Sequence, residues 1–424
     1  MYQRYERYKD SGVEWIGEIP EHWKVISLKR KFKIVNGGTP KSDEPLFWNN
    51  GDIIWVTPDD LSSNENKVIS NSKRQITYDG IMSSSANIVP LNSIIVSTRA
   101  PIGYIKIAGT ELSTNQGCKS LVNLTESTNE YYYYFLISAK EHLNSMGQGT
   151  TFTELSNYNL SNCSALNPNT GERTQIVRFL DQKTSEIDSL IADKEKLIQE
   201  LQEYKQSIIT ETVTKGLNPD VKMKDSGIKW IGKVPEHWKL YALKRIAKLR
   251  SGDFINSHDI KEDGEFPVYG GNGLRGFTSA YTHEGMFPLI GRQGALCGNI
   301  NYAHGKFWAS EHAVVVSPIR SVDLFWLGEL LRAMNLGRQS MSAAQPGLSV
   351  EKVRNLIIPV PPKSEQSDIA VHLKNKLNSI NAICETTDQS IIKLKQYRQS
   401  LIYEAVTGKI DVRDYQPERS EQLA

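Results

Sequence analysis

Cysteine is scarce in these 424 residues: there are four, Cys118, Cys163, Cys297 and Cys384, widely scattered. No CxxC occurs and no Cys/His spacing suits zinc, which argues against a disulfide scaffold and a structural zinc finger. Long apolar runs are missing too. Stretches such as 356–358 fall far short of the ~20 residues a membrane helix needs. The opening MYQRYERYKD carries no apolar segment of a secretory signal. Nor does one sign of charge dominate, since 50 Lys and Arg against 48 Asp and Glu leave a net +2. That excludes a histone-like blanket of positive charge, though not a local basic face. The expectation is a soluble cytoplasmic protein without a membrane segment. What is present, 39% hydrophobic and 23% charged residues, suits packed cores rather than wholesale disorder. The length suggests two to four domains at ~100–200 residues each.

Signatures of catalysis are also missing. No GxxxxGK[ST] is present for a nucleotide-driven motor. An adenine methyltransferase needs a [DNS]PP[YF] tetrapeptide and a Gly-rich cofactor loop. Here Asn167-Pro168 is followed by Asn169, and Pro361-Pro362 by Lys363. The eight histidines show no HxxxH and no triad context. Gly271-Asn272-Gly273-Leu274-Arg275-Gly276 fits GxGxxG, but the following FTSAYTHEG is a poor helix former, so a flexible Gly-rich loop is expected instead of a dinucleotide site. Asp59, Glu65 and Lys67 mimic a PD…ExK nuclease pattern at very short spacing, without a counterpart in the second half.

The chain is one plan written twice. Residues 10–30 and 225–245 are identical at 14 of 21 positions, at an offset of 215. Residues 172–214 and 365–407 align at an offset of 193, with Ile187/Ile380, Leu201/Leu394 and Tyr204/Tyr397 among the matches. The first copy therefore carries 22 more residues between its opening block and its closing segment. Between these anchors the two copies have diverged strongly. His22 and His237 of the block read as structural packing, and the tryptophans Trp15, Trp23, Trp230 and Trp238 as core anchors rather than base-stacking platforms.

The closing segments read as helices of ~40 residues without Pro or Gly, on the order of 60 Å long. Ile187, Leu190, Leu197, Leu201, Tyr204 and Ile208 follow heptad steps in the first, interrupted by Lys194. Ile380, Ile383, Leu394, Tyr397 and Leu401 do so in the second, with Thr387 and Ser390 in the middle. Pairing of the two helices with each other is the expectation, and pairing with another protein the alternative.

The variable regions, roughly 20–165 and 235–362, hold short β-like runs at 52–56, 93–97, 288–291, 313–317 and 356–360. Each has one amphipathic helix, 131–143 and 323–334, so the fold class is α/β (α+β). The Tyr131–Tyr134 run reads as a helix face in the core. Polar loops supply candidate contacts: Thr39 and Lys41 in Gly37–Lys41, Thr150 and Thr151 in 147–153, the loop 339–347, and Tyr269, Asn272 and Arg275 around the Gly-rich stretch. Arg99 and Arg292, 193 apart, each follow a strand-like run, and Gln293 is next to the second. Such an arginine suits bidentate contact to guanine or phosphate, with a salt bridge inside the domain as the alternative.

The DSG-x-x-WIG-x-[IV]-PEHW blocks (10–23, 225–238), the Gly-Gly-Thr-Pro turn at 37–40, the paired helices and the exit 347–362 with Glu365-Gln366 together resemble the specificity subunit of type I restriction–modification systems. The resemblance covers nearly the whole chain, and 159–172 departs from it by lacking the Pro-Pro…Glu-Gln form. It implies an N-terminal segment (1–20) near the C-terminus, target-recognition domains at 21–168 and 217–362, helices at 172–215 and 365–408 forming an antiparallel coiled-coil spacer with a pseudo-two-fold repeat, and a polar tail (409–424). It implies binding to double-stranded DNA, two adenine methyltransferase subunits and two restriction/translocase subunits. The chain itself would be non-catalytic and without a cofactor, while S-adenosylmethionine, ATP and Mg²⁺ belong to the partners. The rival readings are a metal-dependent nuclease using Asp59, Glu65 and Lys67, and a coiled-coil adaptor that does not touch DNA.

Overall fold

Runs rich in β-branched and aromatic residues form short strands, and Gly, Asn and Ser clusters turn the chain between them. The computed structural model describes residues 2–124, 129–148, 153–294, 296–339 and 347–416. Its principal elements, in chain order, are β1 (Phe32–Asn36), β2 (Ile53–Val56), β3 (Val68–Ile69), β4 (Ile94–Ser97), β5 (Ile105–Ala108), β6 (Cys118–Asn123), α1 (Asn129–Ser138), α2 (Thr170–Lys215), β7 (Ala247–Ser251), β8 (Phe266–Gly270), β9 (Gly273–Thr278), β10 (Phe287–Gly291), β11 (Ile300–Ala303), β12 (Lys306–Ala309), β13 (Ala313–Pro318), α3 (Leu324–Ala333) and α4 (Lys363–Val406). No helix of the described residues is long and apolar enough to cross a membrane.

Two compact units divide the chain: Met1–Asp193 with Ser390–Ala424, and Lys194–Gln389. Each unit combines one variable region with a stretch of both long helices.

In the first unit a five-stranded sheet runs β1-β6-β4-β5-β3. Its pairs are antiparallel except β5–β3. Ile94, Ile95, Val96 and Leu121 fill its core. The four tyrosines 131–134 of α1 are buried. A buried phenol usually hydrogen-bonds its hydroxyl, and three of these four do so. Tyr131 Oη donates to Val406 O (2.9 Å), Tyr132 Oη to Asn167 Oδ1 (3.0 Å) and Tyr134 Oη to Asp181 Oδ1 (2.6 Å). All three partners lie on, or immediately before, a long helix. The helix expected over 131–143 is two helices, α1 and Lys140–Ser145, parted at Ala139.

In the second unit the sheet runs β7-β13-β10-β11, all antiparallel. A smaller sheet joins β9-β8-β12 with the short strand His283–Glu284. Trp326, Leu327 and Leu330 of α3 share one core with Val314 and Val316 of β13, Ile209 and Val213 of α2, and Ile369 and Leu373 of α4.

Each variable domain leaves and returns at one place. Lys24–Ser27 pairs antiparallel with Ser164–Asn167, and Lys239–Ala242 with Ile357–Val360. The repeated EHW block then clamps the helix that follows. His22 Nε2 lies 2.7 Å from Glu172 Oε1, and His237 Nε2 lies 2.7 Å from Glu365 Oε1. Before α2, Asn169 Oδ1 accepts from Glu172 N at 2.9 Å. An Asn cap thus starts the first helix, where the second is preceded by Pro361-Pro362.

The buried stripe of each long helix keeps Ile187, Leu201, Ile208, Ile380, Leu394 and Leu401 of the expected seam and departs from it by one position at the others. Ile187, Ile191, Lys194, Ile198, Leu201, Lys205 and Ile208 are buried or half-buried on α2. Ile380, Cys384, Thr387, Ile391, Leu394, Arg398 and Leu401 are so on α4. Both sets step 3 and 4 without interruption, and the 193 offset maps one onto the other. Leu190, Leu197, Tyr204, Ile383 and Tyr397, expected on the seam, are instead 42–56% exposed. Ser390 is half-buried beside the seam. Lys194 does not interrupt the seam but belongs to it.

Contacts within each unit fix the helix pairing. In the first, Gln175 Nε2 donates to Arg413 O (3.1 Å), beyond the end of α4, and Arg398 Nη2 to Asp188 Oδ2 (3.1 Å), so the order is antiparallel. In the second, Lys205 Nζ donates to Asn381 Oδ1 at 2.9 Å. Lys205 and Arg398, and Asp188 and Asn381, are repeat equivalents, so one cross-helix bond occurs once in each unit.

Candidate nucleic-acid interface

Sheet topology, more than sequence proximity, assembles the polar loops. β6 runs antiparallel to both β1 and β4, with Lys119 opposite Asn36 and Cys118 opposite Ser97. The ends of β1 and β4 therefore meet the start of β6 at one edge. Three segments converge there: the Gly37–Lys41 turn, Thr98–Arg99, and 115–117. Gly38 N donates to Thr114 O (2.9 Å) and Thr98 N to Gly117 O (2.8 Å). Thr39 Oγ1 donates to Gln116 Oε1. A Cβ on Gly37 would overlap the Asn115 carbonyl, which is why glycine stands at this approach. Two indoles hold the turn from behind: Trp55 Nε1 donates to Gly38 O (2.9 Å) and Trp48 Nε1 to Lys41 O (2.8 Å). The Arg74 guanidinium covers the Trp48 ring at 3.6 Å.

Arg99 lies at this edge but is tethered. Its Nε donates to Glu154 Oε2 at 3.0 Å, and Lys119 Nζ lies 3.4 Å from Glu154 Oε1. The Lys119 side chain is only 6% exposed. Burial disfavours the Glu154 carboxylate, but the Arg99 hydrogen bond and the Lys119 charge outweigh it and hold this carboxyl below the usual range. For Arg99 the salt-bridge alternative is the one the structure displays. Lys41 is exposed on its turn. Thr150 and Thr151 lie outside the described residues, as does most of the loop 339–347.

The second variable domain repeats the layout. Ser251 of β7 lies opposite Val314, and Gly291 of β10 opposite Ala313, so the ends of β7 and β10 flank the start of β13. Arg292 N donates to His312 O (2.9 Å), its Nη1 to Ser251 Oγ (3.2 Å), and His312 Nδ1 lies 3.1 Å from Gln293 Oε1. Among the described residues no carboxylate stands within ion-pair distance of Arg292, in contrast to Arg99. The GxGxxG stretch is not a flexible loop. It forms the hairpin β8–β9 with Gly270 paired to Gly273, so Gly271-Asn272 is a two-residue turn. Gly271 passes so near Gly291 that a Cβ on Gly291 would overlap the Gly271 carbonyl. The hairpin tip thus joins the Arg292–Gln293 edge. Asn272 and Arg275 are exposed on it. Tyr269 is half-buried, its ring edge-on to Phe307 with centroids 5.7 Å apart.

The nuclease pattern is not assembled. Asp59 pairs with Lys73 (2.5 Å), Asp60 caps its own helix, and Lys67 turns to Asp181 of α2 (2.6 Å). Among the described residues no group of three His, Cys, Asp or Glu is placed to hold a metal ion. Sequence reading missed Gln116, Lys119 and Glu154 in the first domain, and Ser251, Trp308 and His312 in the second. None follows a motif. Gln116 and His312 lie just before β6 and β13, Lys119 at the start of β6 and Ser251 at the end of β7, while Glu154 and Trp308 reach the edge from elsewhere in the chain, which only pairing reveals.

Comparison with known proteins agrees with this duplicated layout. The family model for the type I restriction modification DNA specificity domain matches residues 20–202 and 235–393. The type I restriction enzyme EcoprrI specificity subunit of Escherichia coli is 30% identical over 378 residues, covering 85% of this chain and 89% of that one. The MjaIX specificity subunit of Methanocaldococcus jannaschii is 26% identical over 428 residues, covering 94% and 96%. A solved chain of a type I R-M system shares the fold at a TM-score of 0.71 and 16% identity, over 92% of this chain and 98% of that one. With both copies of the plan matched, the chain belongs to the type I restriction–modification DNA specificity family.

Proposed function

We propose that this chain is the DNA-reading, non-catalytic subunit of a type I restriction–modification complex, each variable domain reading half of a bipartite target. The observation that carries this is the repeated sheet edge. In each domain a pinned turn, an arginine after a central strand and a polar side chain before the next strand stand together, on a framework kept in both copies while the presented side chains differ. Such an edge offers donors for base edges beside cations for phosphate. The long helices act as the spacer, which fixes the gap between half-sites.

The outward apolar residues of the long helices, Leu190 and Tyr397 in the first unit and Leu197, Tyr204 and Ile383 in the second, are proposed as docking surfaces for two adenine methyltransferase subunits, one on each unit. Leu190 and Ile383, and Tyr204 and Tyr397, are equivalent at the 193 offset, so each unit presents one residue of each pair and partners of one kind can share the surface. Two restriction/translocase subunits complete the complex, and S-adenosylmethionine, ATP and Mg²⁺ reside on the partners. Non-specific DNA affinity scales with phosphates neutralised, so a +2 chain holds DNA weakly by itself and the partners close the clamp. Mapping methylated adenines in DNA from cells expressing the complete system tests this. The expected outcome is a bipartite motif with one fixed gap. A continuous motif, or methylation independent of this chain, refutes it.

A further inference from the structure

The turn beyond the first central strand is held by the same three bonds in both domains. In the first they are Gly37 N to Cys118 O (3.3 Å), Gly38 N to Thr114 O (2.9 Å) and Trp55 Nε1 to Gly38 O (2.9 Å). In the second they are Gly252 N to Ala313 O (2.9 Å), Asp253 N to Ala309 O (2.9 Å) and Trp308 Nε1 to Asp253 O (3.2 Å). Gly38 and Asp253 are equivalent by the 215-residue repeat. Their indole donors are not. Trp55 lies on β2, before β4 in the chain, and Trp308 lies on β12, after β10. The same carbonyl is thus held by an indole N–H reaching it from unrelated elements, which marks the backbone at this point as one whose position matters.

What the carbonyl positions is the next residue, Thr39 in one domain and Phe254 in the other. There the chemistry parts. Thr39 presents a hydroxyl bonded to Gln116. Phe254 presents a ring 69% exposed, at the mouth of an open cavity of about 610 Å³ that it shares with Asn256, Lys261 and Trp308. A solitary exposed apolar side chain is ordinary. A phenylalanine on a triply held turn, at the edge that carries Arg292 and Gln293, is not.

We propose that Phe254 is a specificity-determining residue of the second reader, making apolar contact with the 5-methyl group of a thymine, and that Trp308 is its positioning residue. In the major groove that methyl group is the apolar feature that separates one base pair from the others. The proposal rests on the DNA-reading assignment above and adds the chemistry of one position.

The test uses the full chain with its methyltransferase partner and a randomised duplex library, comparing wild type, Phe254→Ala and Trp308→Phe. Wild type enriches a bipartite sequence. Phe254→Ala loses preference for thymine at one position of one half-site, roughly four- to tenfold, the scale of one buried methyl group. The other half-site is read as before. Deoxyuridine at that thymine reproduces the loss in wild type and adds nothing in the variant. Trp308→Phe keeps a ring but removes the N–H, and weakens the same position with the melting temperature unchanged. Unchanged base preferences in Phe254→Ala, equal loss at both half-sites, or indifference of wild type to deoxyuridine overturns the proposal. Failure of wild type to enrich any bipartite sequence overturns the DNA-reading assignment, and this proposal with it.

Discussion

Arg99 and Arg292 follow the matching strands β4 and β10 one register apart and in different electrostatic company: Thr98 N donates to Gly117 O as Arg292 N does to His312 O, so by strand pairing Arg99 matches Gln293. Glu154 engages Arg99, whereas Arg292 keeps a neutral hydroxyl, Ser251 Oγ, at 3.2 Å. Glu154, which faces Arg99, has Gly347 as its counterpart, and Gly347 faces Gln293, so the matching position brings no carboxylate to this edge. A guanidinium with its fork turned to a hydroxyl exchanges it for a base or phosphate at low cost, while one on a carboxylate must first give up a charge-assisted bond. Arg292→Ala is therefore expected to cost about 1–3 kcal/mol at one half-site, with the other unaffected. Competition binding of the methyltransferase complex against duplexes altered in one half-site at a time measures this. Equal loss on scrambled DNA reassigns Arg292 to phosphate contact. The pair of arginines was legible because each follows a hydrophobic run at a fixed repeat offset. Their partners were not, since Glu154 lies 55 residues from Arg99 and meets it only through strand pairing.

At the scale of elements, the long helices were legible in extent, because some 40 residues without Pro or Gly between clear stops leave little choice, but their phase was legible only at alternate steps of the seam. Choosing Leu and Tyr by size placed the seam on Leu190, Leu197 and Tyr204. The uninterrupted 3-4 stepping keeps Ile187, Leu201 and Ile208, runs one position later at those three, and passes through Lys194 and Lys205. A lysine is tolerated on such a stripe because its aliphatic stem packs while its ammonium escapes to the edge. Lys205 does this by reaching Asn381, as Arg398 does by reaching Asp188. Neighbouring substitutions separate the two phases. Ile198→Glu puts a short-stemmed charge on the half-buried stripe and is expected to destabilise by about 2 kcal/mol, whereas Leu197→Glu stays within about 0.5 kcal/mol. Leu197→Glu should instead weaken methyltransferase association, if the outward residues of the second unit are a docking surface. Thermal unfolding together with complex formation by size-exclusion chromatography reads both effects. The reverse order of destabilisation would return the seam to Leu197.

For the whole molecule, the repeat treats its two helix ends alike although the chain does not. α2 ends at Lys215, and the block 225–238 follows within ten residues. Trp238 packs so close behind Gly216 that a Cβ there would lie 3.2 Å from its ring. α4 ends at Val406, and the block beside it is 10–23, from the opposite end of the sequence. A Cβ on Gly408 would overlap Pro20 and approach Trp23. Tyr8 Oη donates to Gly408 O (3.0 Å), Tyr403 Oη to Trp15 O (3.1 Å), and Asp411 N to Gln3 O (2.8 Å). The interface that the second unit makes along a continuous chain is made in the first unit across the chain ends. Backbone bonds and buried rings, not the peptide link, therefore hold the opening block in place, and termini so placed are sites where rearrangement of connectivity is tolerated. Joining residue 416 to residue 2 through a short flexible linker and opening the chain between Gly216 and Met223 exchanges the two junctions while keeping every one of these contacts. That permutant is expected to fold, to assemble with the methyltransferase and to direct methylation to the same bipartite motif with the same gap. Loss of the motif in a permutant that still melts cooperatively would show that the peptide link at 216–223 does more than connect the helix to its block.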